Sequence, residues 1–301
     1  MLRLRSDAPS APTSLAAGRG RREVSYCDPE DPLARRFLIG TIERLTGQPK
    51  LQRIYDDYML RRDAEDNFWQ SAVEYLRLSI RYDADTLAAI PKTGPLIVIA
   101  NHPFGVLDGI AAGYLTTRIR SDMKLMAHAA LGRATALRPY LIPIEFDGAS
   151  SALRSNVAAK RAALEHLRDG GSLVIFPAGR VSTARNVLGT AVDDPWKLFA
   201  GKLIEMSGAT VVPVFFAGQN GMMFHLVSRF SEAMREALLL REVARRMGDE
   251  IVACIGTPLS SESLQGFANR QALLDYLRGE VYAMGRVMLS GPQRGPEFRE
   301  V

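Results

Sequence analysis

The sequence predicts an α/β fold, a mostly parallel central sheet covered by helices, with a helical extension on its N-terminal side. Three observations predict it. Short apolar runs of strand length recur from residue 96 onward, helical patterns separate most of them, and before residue 90 the apolar residues recur at helical spacing instead. Alternating buried strands and helices imply a parallel sheet with helices on both faces, and such sheets gather ligands at the C-terminal ends of their strands.

Residues 1–24 form a basic tail rich in Arg, Ser, Pro, Ala and Gly and read as disordered. They lack the apolar run of roughly 7 to 15 residues that a secretory signal requires. Arg3, Arg5, Arg19, Arg21 and Arg22 oppose Asp7 and Glu23 there, so most of the formal net charge of +5 lies in the tail. The rest of the chain is too evenly balanced for a groove tracking phosphates, which argues against a nucleic-acid partner, while local clusters suit an anionic lipid face.

Residues 25–90 are the helical extension, with Leu51, Ile54, Tyr55 and Tyr58, then Phe68, Trp69, Ala72 and Tyr75, at helical spacing. Residues 91–301 carry the sheet, with strands expected at 96–100, 123–127, 141–146, 172–176, 211–216 and 251–255. The clearest helix between them spans 153–168, after the capping candidates Ser150 and Ser151 and before the stop signal Gly170-Gly171. A basic amphipathic stretch at 234–247 reads as a helix packed on the sheet, in preference to one lying on anionic lipid. No apolar stretch nears the roughly 20 residues of a membrane-spanning helix. Cys27 and Cys254 lie far apart without metal-ligand or CxxC spacing, which suits a reducing compartment and implies no metal site.

Residues 96–109, LIVIANHPFGVLDG, read as a buried strand, a tight loop and the start of a helix. His102 therefore leaves the C-terminal end of the strand. Pro103 cannot continue the ladder and Gly105 permits unusual backbone angles, so the loop can fold back and bring Asp108 to the imidazole. An alcohol attacking a thioester needs a base to take its proton; neutral imidazole does this, and a carboxylate fixes its tautomer. The chain has no G-x-S-x-G elbow, which suits a substrate hydroxyl as the nucleophile. Taken singly, Asp108 could cap the following helix and His102 could be a packed loop histidine. The pair on one turn, with Asn101, Pro103 and Gly105, favours the catalytic reading. His166 is expected to be solvated, and His128 and His225 have no acidic residue at a suggestive spacing.

A second strand and loop, GGSLVIFPAGRVS at 170–182, should lie beside the first. Backbone N–H groups around Gly179 are placed to meet a developing oxyanion, and Arg180 to pair with a phosphate or carboxylate.

At these residues the chain resembles the lysophospholipid acyltransferase superfamily. Its usual first motif, N-H-x4-D, stands here as the H-x5-D of NHPFGVLDG, similar to a recurring bacterial variant. Its usual third motif, F-P-E-G-T-R-S, stands here as F-P-A-G-R-V-S, with Ala178 in place of the acid, Arg180 one position early and Val181 at the usual arginine. Val212-Pro213-Val214 matches the short fourth motif, and the second is loosely recognisable from Lys124 through Gly132-Arg133 to Asp147. The resemblance covers about residues 96–256.

The resemblance implies a glycerolipid-acyltransferase-like domain over 91–301, moving a fatty-acyl group onto a lysophospholipid hydroxyl of the 1-acylglycerol-phosphate type. The donor would be acyl-CoA or acyl carrier protein as co-substrate, with no further cofactor. His102 and Asp108 would be catalytic, and Asn101, Gly105, Lys124, Arg133, Phe176, Pro177, Gly179, Arg180 and Ser182 would bind substrate. The altered third motif makes a lyso-ornithine lipid the alternative acceptor. A catalytically silent lipid or carrier-protein binding module is the alternative of another class. The expected setting is cytoplasmic, peripherally attached to the inner face of the cell membrane.

Overall fold

The computed structural model describes residues 23–27, 32–63, 65–145, 150–184, 186, 189–228 and 232–290. Three helices open it, α1 (Leu33–Thr46), α2 (Gln48–Arg61) and α3 (Phe68–Tyr75), followed by the short strand β1 (Ser79–Arg81) and α4 (Ala84–Ala88). Then come β2 (Leu96–Ala100), α5 (Val106–Thr117), β3 (Met123–His128), two 3-10 turns (Ala129–Arg133 and Thr135–Tyr140), β4 (Leu141–Ile144) and α6 (Ser150–Arg168). Next are β5 (Ser172–Ile175), a small hairpin of β6 (Thr183–Ala184) and β7 (Ala191–Val192), α7 (Leu198–Ser207) and β8 (Thr210–Phe216). The described residues end with α8 (Met222–Val227), α9 (Glu232–Arg245), β9 (Glu250–Ile255) and α10 (Arg270–Ser290).

Seven strands form one sheet in the order β1-β9-β8-β2-β5-β3-β4. Every pairing in it is parallel except that of β8 with β9. β2 lies between β5 and β8, so its run LIVIA is buried on both faces, as a continuous apolar strand requires. Leu96, Val98 and Ala100 face the layer of α3, α5 and α9, whereas Ile97 and Ile99 face the layer of α6, α7 and α10. All six expected strands are present, the third ending at Ile144 with Phe146 outside the described residues. The 234–247 stretch forms α9, whose Leu238, Leu239, Leu240 and Val243 are buried in the core.

Two boundaries differ from expectation. β1 lies within the expected helical extension but pairs with β9, Ile80 opposite Ile251, so residues 79–81 belong to the sheet. Glu23 and Val24, grouped with the tail, are held: Glu23 accepts from Thr135 N and Oγ1, both at 2.9 Å, and from the Tyr55 hydroxyl at 3.0 Å. The Val24 N–H donates to Gln52. Ser25 Oγ and Tyr26 N each donate at 2.7 Å to the fully buried Glu43 of α1, closing a strap over the first helices. The rest of the expected tail, residues 1–22, lies outside the described residues.

Candidate active site

The loop after β2 turns on Gly105, whose φ of +83° suits glycine and starts α5. That turn brings His102 Nδ1 to 3.0 Å from Asp108 Oδ2. The ring N–H is not aimed straight at that oxygen, so the contact is a close pair with a bent hydrogen-bond angle. The same oxygen accepts the Phe104 and Gly105 amides at 2.8 and 2.9 Å, so Asp108 caps α5 and faces the imidazole at once. Burial pushes the Asp108 carboxyl above the usual carboxylate range, against the opposing pull of His102 and the two amides. The His102 ring stacks on Phe176 from the neighbouring loop, centroids 4.0 Å apart and planes 21° apart. With Nδ1 turned to Asp108, Nε2 is the ring nitrogen that this carboxylate does not engage.

His102 and Phe176 line a cavity of about 580 Å³, the size of a small-molecule site. The cavity runs over the C-terminal rim of the sheet. On one side apolar residues of α2, α3, α5 and α9 line it, among them Tyr55, Trp69, Ile110 and Leu239. On the other side it reaches α6 and α7 at Ala159, Lys160, Phe199 and Ala200. Gly105, Pro177, Gly179 and Arg180 also line it.

Several expected substrate contacts have other work. Asn101 is buried and exchanges two hydrogen bonds with the Phe216 backbone, tying β2 to β8. Ser182 is buried too; its N–H donates to the His102 carbonyl and its hydroxyl to Asp193. Arg133 Nη1 donates to the carbonyls of Ser25 and Cys27 at 2.9 and 2.8 Å, which makes it an anchor of the strap. Lys124 sits at the start of β3, away from the C-terminal rim, and bonds the Pro139 carbonyl. The Gly179 N–H donates to Phe176 O at 3.0 Å inside its own turn, so it is engaged away from an oxyanion. Gly105 lines the cavity, but its N–H is taken by Asp108. Arg180 is about half exposed at the rim, with Nε 3.6 Å from Asp194.

Residues 193–197 carry no motif signal in the sequence, yet they hold the two loops together. Asp193 is 3% exposed, and its Oδ1 accepts from His102 N at 3.2 Å and Ser182 Oγ at 2.5 Å, its Oδ2 from Trp196 Nε1 at 2.9 Å. Its backbone N–H donates to the Tyr282 hydroxyl of α10, and its carbonyl accepts from Arg278. Lys197 N donates to Pro177 O at 3.0 Å, and its side chain lies over Gly179, where an added Cβ would stand 2.7 Å from Nζ. His128, which has no acidic residue at a suggestive spacing in the sequence, lines the cavity with Nε2 3.9 Å from Glu236, an acid 108 positions away. His166, expected to be solvated, bonds the Ser172 carbonyl at 3.0 Å. Among the described residues no group of three or more His, Cys or carboxylate side chains is placed to hold a metal ion.

Fold and site together set an imidazole beside a buried carboxylate at the C-terminal rim of a mostly parallel sheet, an arrangement chemically able to serve as a general base. A family model described as acyltransferase matches residues 57–290. The chain belongs to this acyltransferase family, as its motif resemblance implied. A lyso-glycine lipid O-acyltransferase of Phocaeicola vulgatus is 26% identical over 202 residues, 66% of this chain and 68% of the relative. A protein of the same description from Bacteroides thetaiotaomicron is 23% identical over 201 residues, 66% of this chain and 70% of the relative. Among solved structures, the 1-acyl-sn-glycerophosphate acyltransferase PlsC of Thermotoga maritima is similar with a TM-score of 0.48 at 18% identity, over 86% of this chain and 99% of that one.

Proposed function

We propose that the enzyme moves a fatty-acyl group from acyl-CoA or acyl carrier protein to the free hydroxyl of a lysolipid whose head group is an acylated amino acid. The observation that carries this is the His102 and Asp108 pair facing a largely apolar cavity. His102 Nε2 takes the hydroxyl proton as the oxygen attacks the thioester carbonyl carbon. The carbon–sulfur bond then breaks, and the leaving thiolate takes the proton back from the imidazolium. Asp108 steadies the charged ring, and Phe176 keeps it from swinging out of line.

Two features favour an amino-acid head group over the 1-acylglycerol-phosphate expected from the motif. Both curated relatives above are described as acting on lyso-glycine lipid, a close chemical cousin of the lyso-ornithine alternative. Val181, at the position of the superfamily's usual arginine, is buried in the core, so no cation points from there to a phosphate. Among the described residues no helix is long and apolar enough to cross a membrane. Exposed Leu33, Phe37 and Leu45 on α1, with Arg44 beside them, support peripheral attachment to an anionic inner leaflet.

The test is acyl transfer by the purified chain to a panel of lyso-glycine, lyso-ornithine and 1-acylglycerol-phosphate lipids, with CoA and carrier-protein donors. His102→Ala is expected to lower kcat by about 10² to 10⁴. Turnover undiminished in His102→Ala removes the base assigned here, and a wild type that acylates no member of the panel leaves the silent binding module as the reading.

A further inference from the structure

The turn that carries Gly179 uses that residue's N–H internally, which leaves the charge on the thioester oxygen to be met by another group. We propose that Lys197 is a catalytic residue, the cation that meets this charge, and that Asp193, four residues earlier, is the positioning residue that ties it to the base. The inference rests on the acyl-transfer reading above. Lys197 lines the same cavity as His102, Phe176 and Gly179, and its ammonium crosses over Gly179. Its backbone is pinned to Pro177, the neighbour of the ring on which His102 stacks. Asp193 holds the main chain of His102 and the hydroxyl of Ser182 with one carboxylate, and Trp196 braces that carboxylate from the other side. One five-residue segment thus holds the main chain of both the base and the cation.

In the step proposed, negative charge gathers on the thioester oxygen as the acceptor oxygen adds, and leaves it as the carbon–sulfur bond breaks. Lys197 stays protonated throughout, and the travelling proton belongs to His102. A preorganised donor at such an oxygen contributes about 10² to 10³ in kcat.

The experiment compares steady-state kinetics of the full-length wild type with Lys197→Met, Lys197→Arg, Asp193→Asn and the double variant Lys197→Met/Asp193→Asn. Lys197→Met is expected to lose about 10² to 10³ in kcat with the KM of either substrate changing less than about threefold, and Lys197→Arg to recover part of the loss. Asp193→Asn is expected to lower kcat, and the double variant to lose less than the product of the single losses, because the two residues act as a unit. Ser182→Ala, which removes one donor to Asp193, serves if Asp193→Asn does not fold. An unchanged kcat in Lys197→Met, or a raised KM with kcat held, overturns the assignment of Lys197. Multiplicative losses overturn the link to Asp193. If the wild type acylates no lysolipid, the function reading fails by itself, and thiol release from acyl-CoA to water gives the same comparison of variants.

Discussion

At Asp108 one carboxylate oxygen faces the His102 ring and two backbone amides, while Oδ1 is buried without a hydrogen-bond partner. A charge so placed is held for chemistry at the expense of stability. Its folded-state pKa is raised by burial, so the native state binds the proton more readily than the unfolded chain does. Stability therefore falls as pH rises from the ordinary carboxylate range through the raised value, and returns on acidification. Asp108→Asn removes this dependence. The variant is expected to lose about 10⁴ in kcat, while its melting temperature relative to wild type is higher at neutral pH than at acid pH. A calorimetric pH series checks the sign. Arg133 makes the opposite case, since its guanidinium serves the strap. Arg133→Ala is expected to leave acceptor KM unchanged and to cost about 1 to 3 kcal/mol of stability, read from urea midpoints.

Among the elements, α3 and α5 are locked by the fit of Trp69 against Gly113, where an added Cβ would stand 2.2 Å from the indole. Gly113→Ala is expected to destabilise by about 1 to 3 kcal/mol, and a smaller ring at position 69 to restore part of it in thermal melts. The central strands β2, β5 and β8 were legible because each is a nearly continuous buried run, as Leu96 to Ala100 shows. β1 was not, because three residues carry no period and its partner β9 lies far along the chain. The meeting of His102 and Asp108 was legible because both share one turn. Asp193 was not, being 91 residues from His102 and joined to it only by the folded sheet. Lys124 and Arg133 bond carbonyls in the structure, which was hidden for a related reason: a cation near a strand looks the same in sequence whether it meets a ligand or a carbonyl.

On the scale of the molecule, two helical layers flank the sheet with separate cores, one built on Val98 and Leu107, the other on Ile99 and Leu274. The strap of residues 23–27 joins α1, α2 and the 3-10 segment after β3 by bonding Glu43, Gln52, Tyr55 and Thr135. Glu43→Gln keeps the shape but weakens two bonds made at zero exposure, and is expected to lower the melting temperature by several degrees, about what 1 to 3 kcal/mol produces.

Because the cavity passes over the rim and borrows walls from each flank, the reaction chamber is only as firm as the looser of the two. Partial opening of either helical layer should spill its contents while the strands still hold. In graded urea, turnover is therefore expected to vanish before the far-ultraviolet circular dichroism changes, and a bound long-chain thioester to bring the two midpoints together.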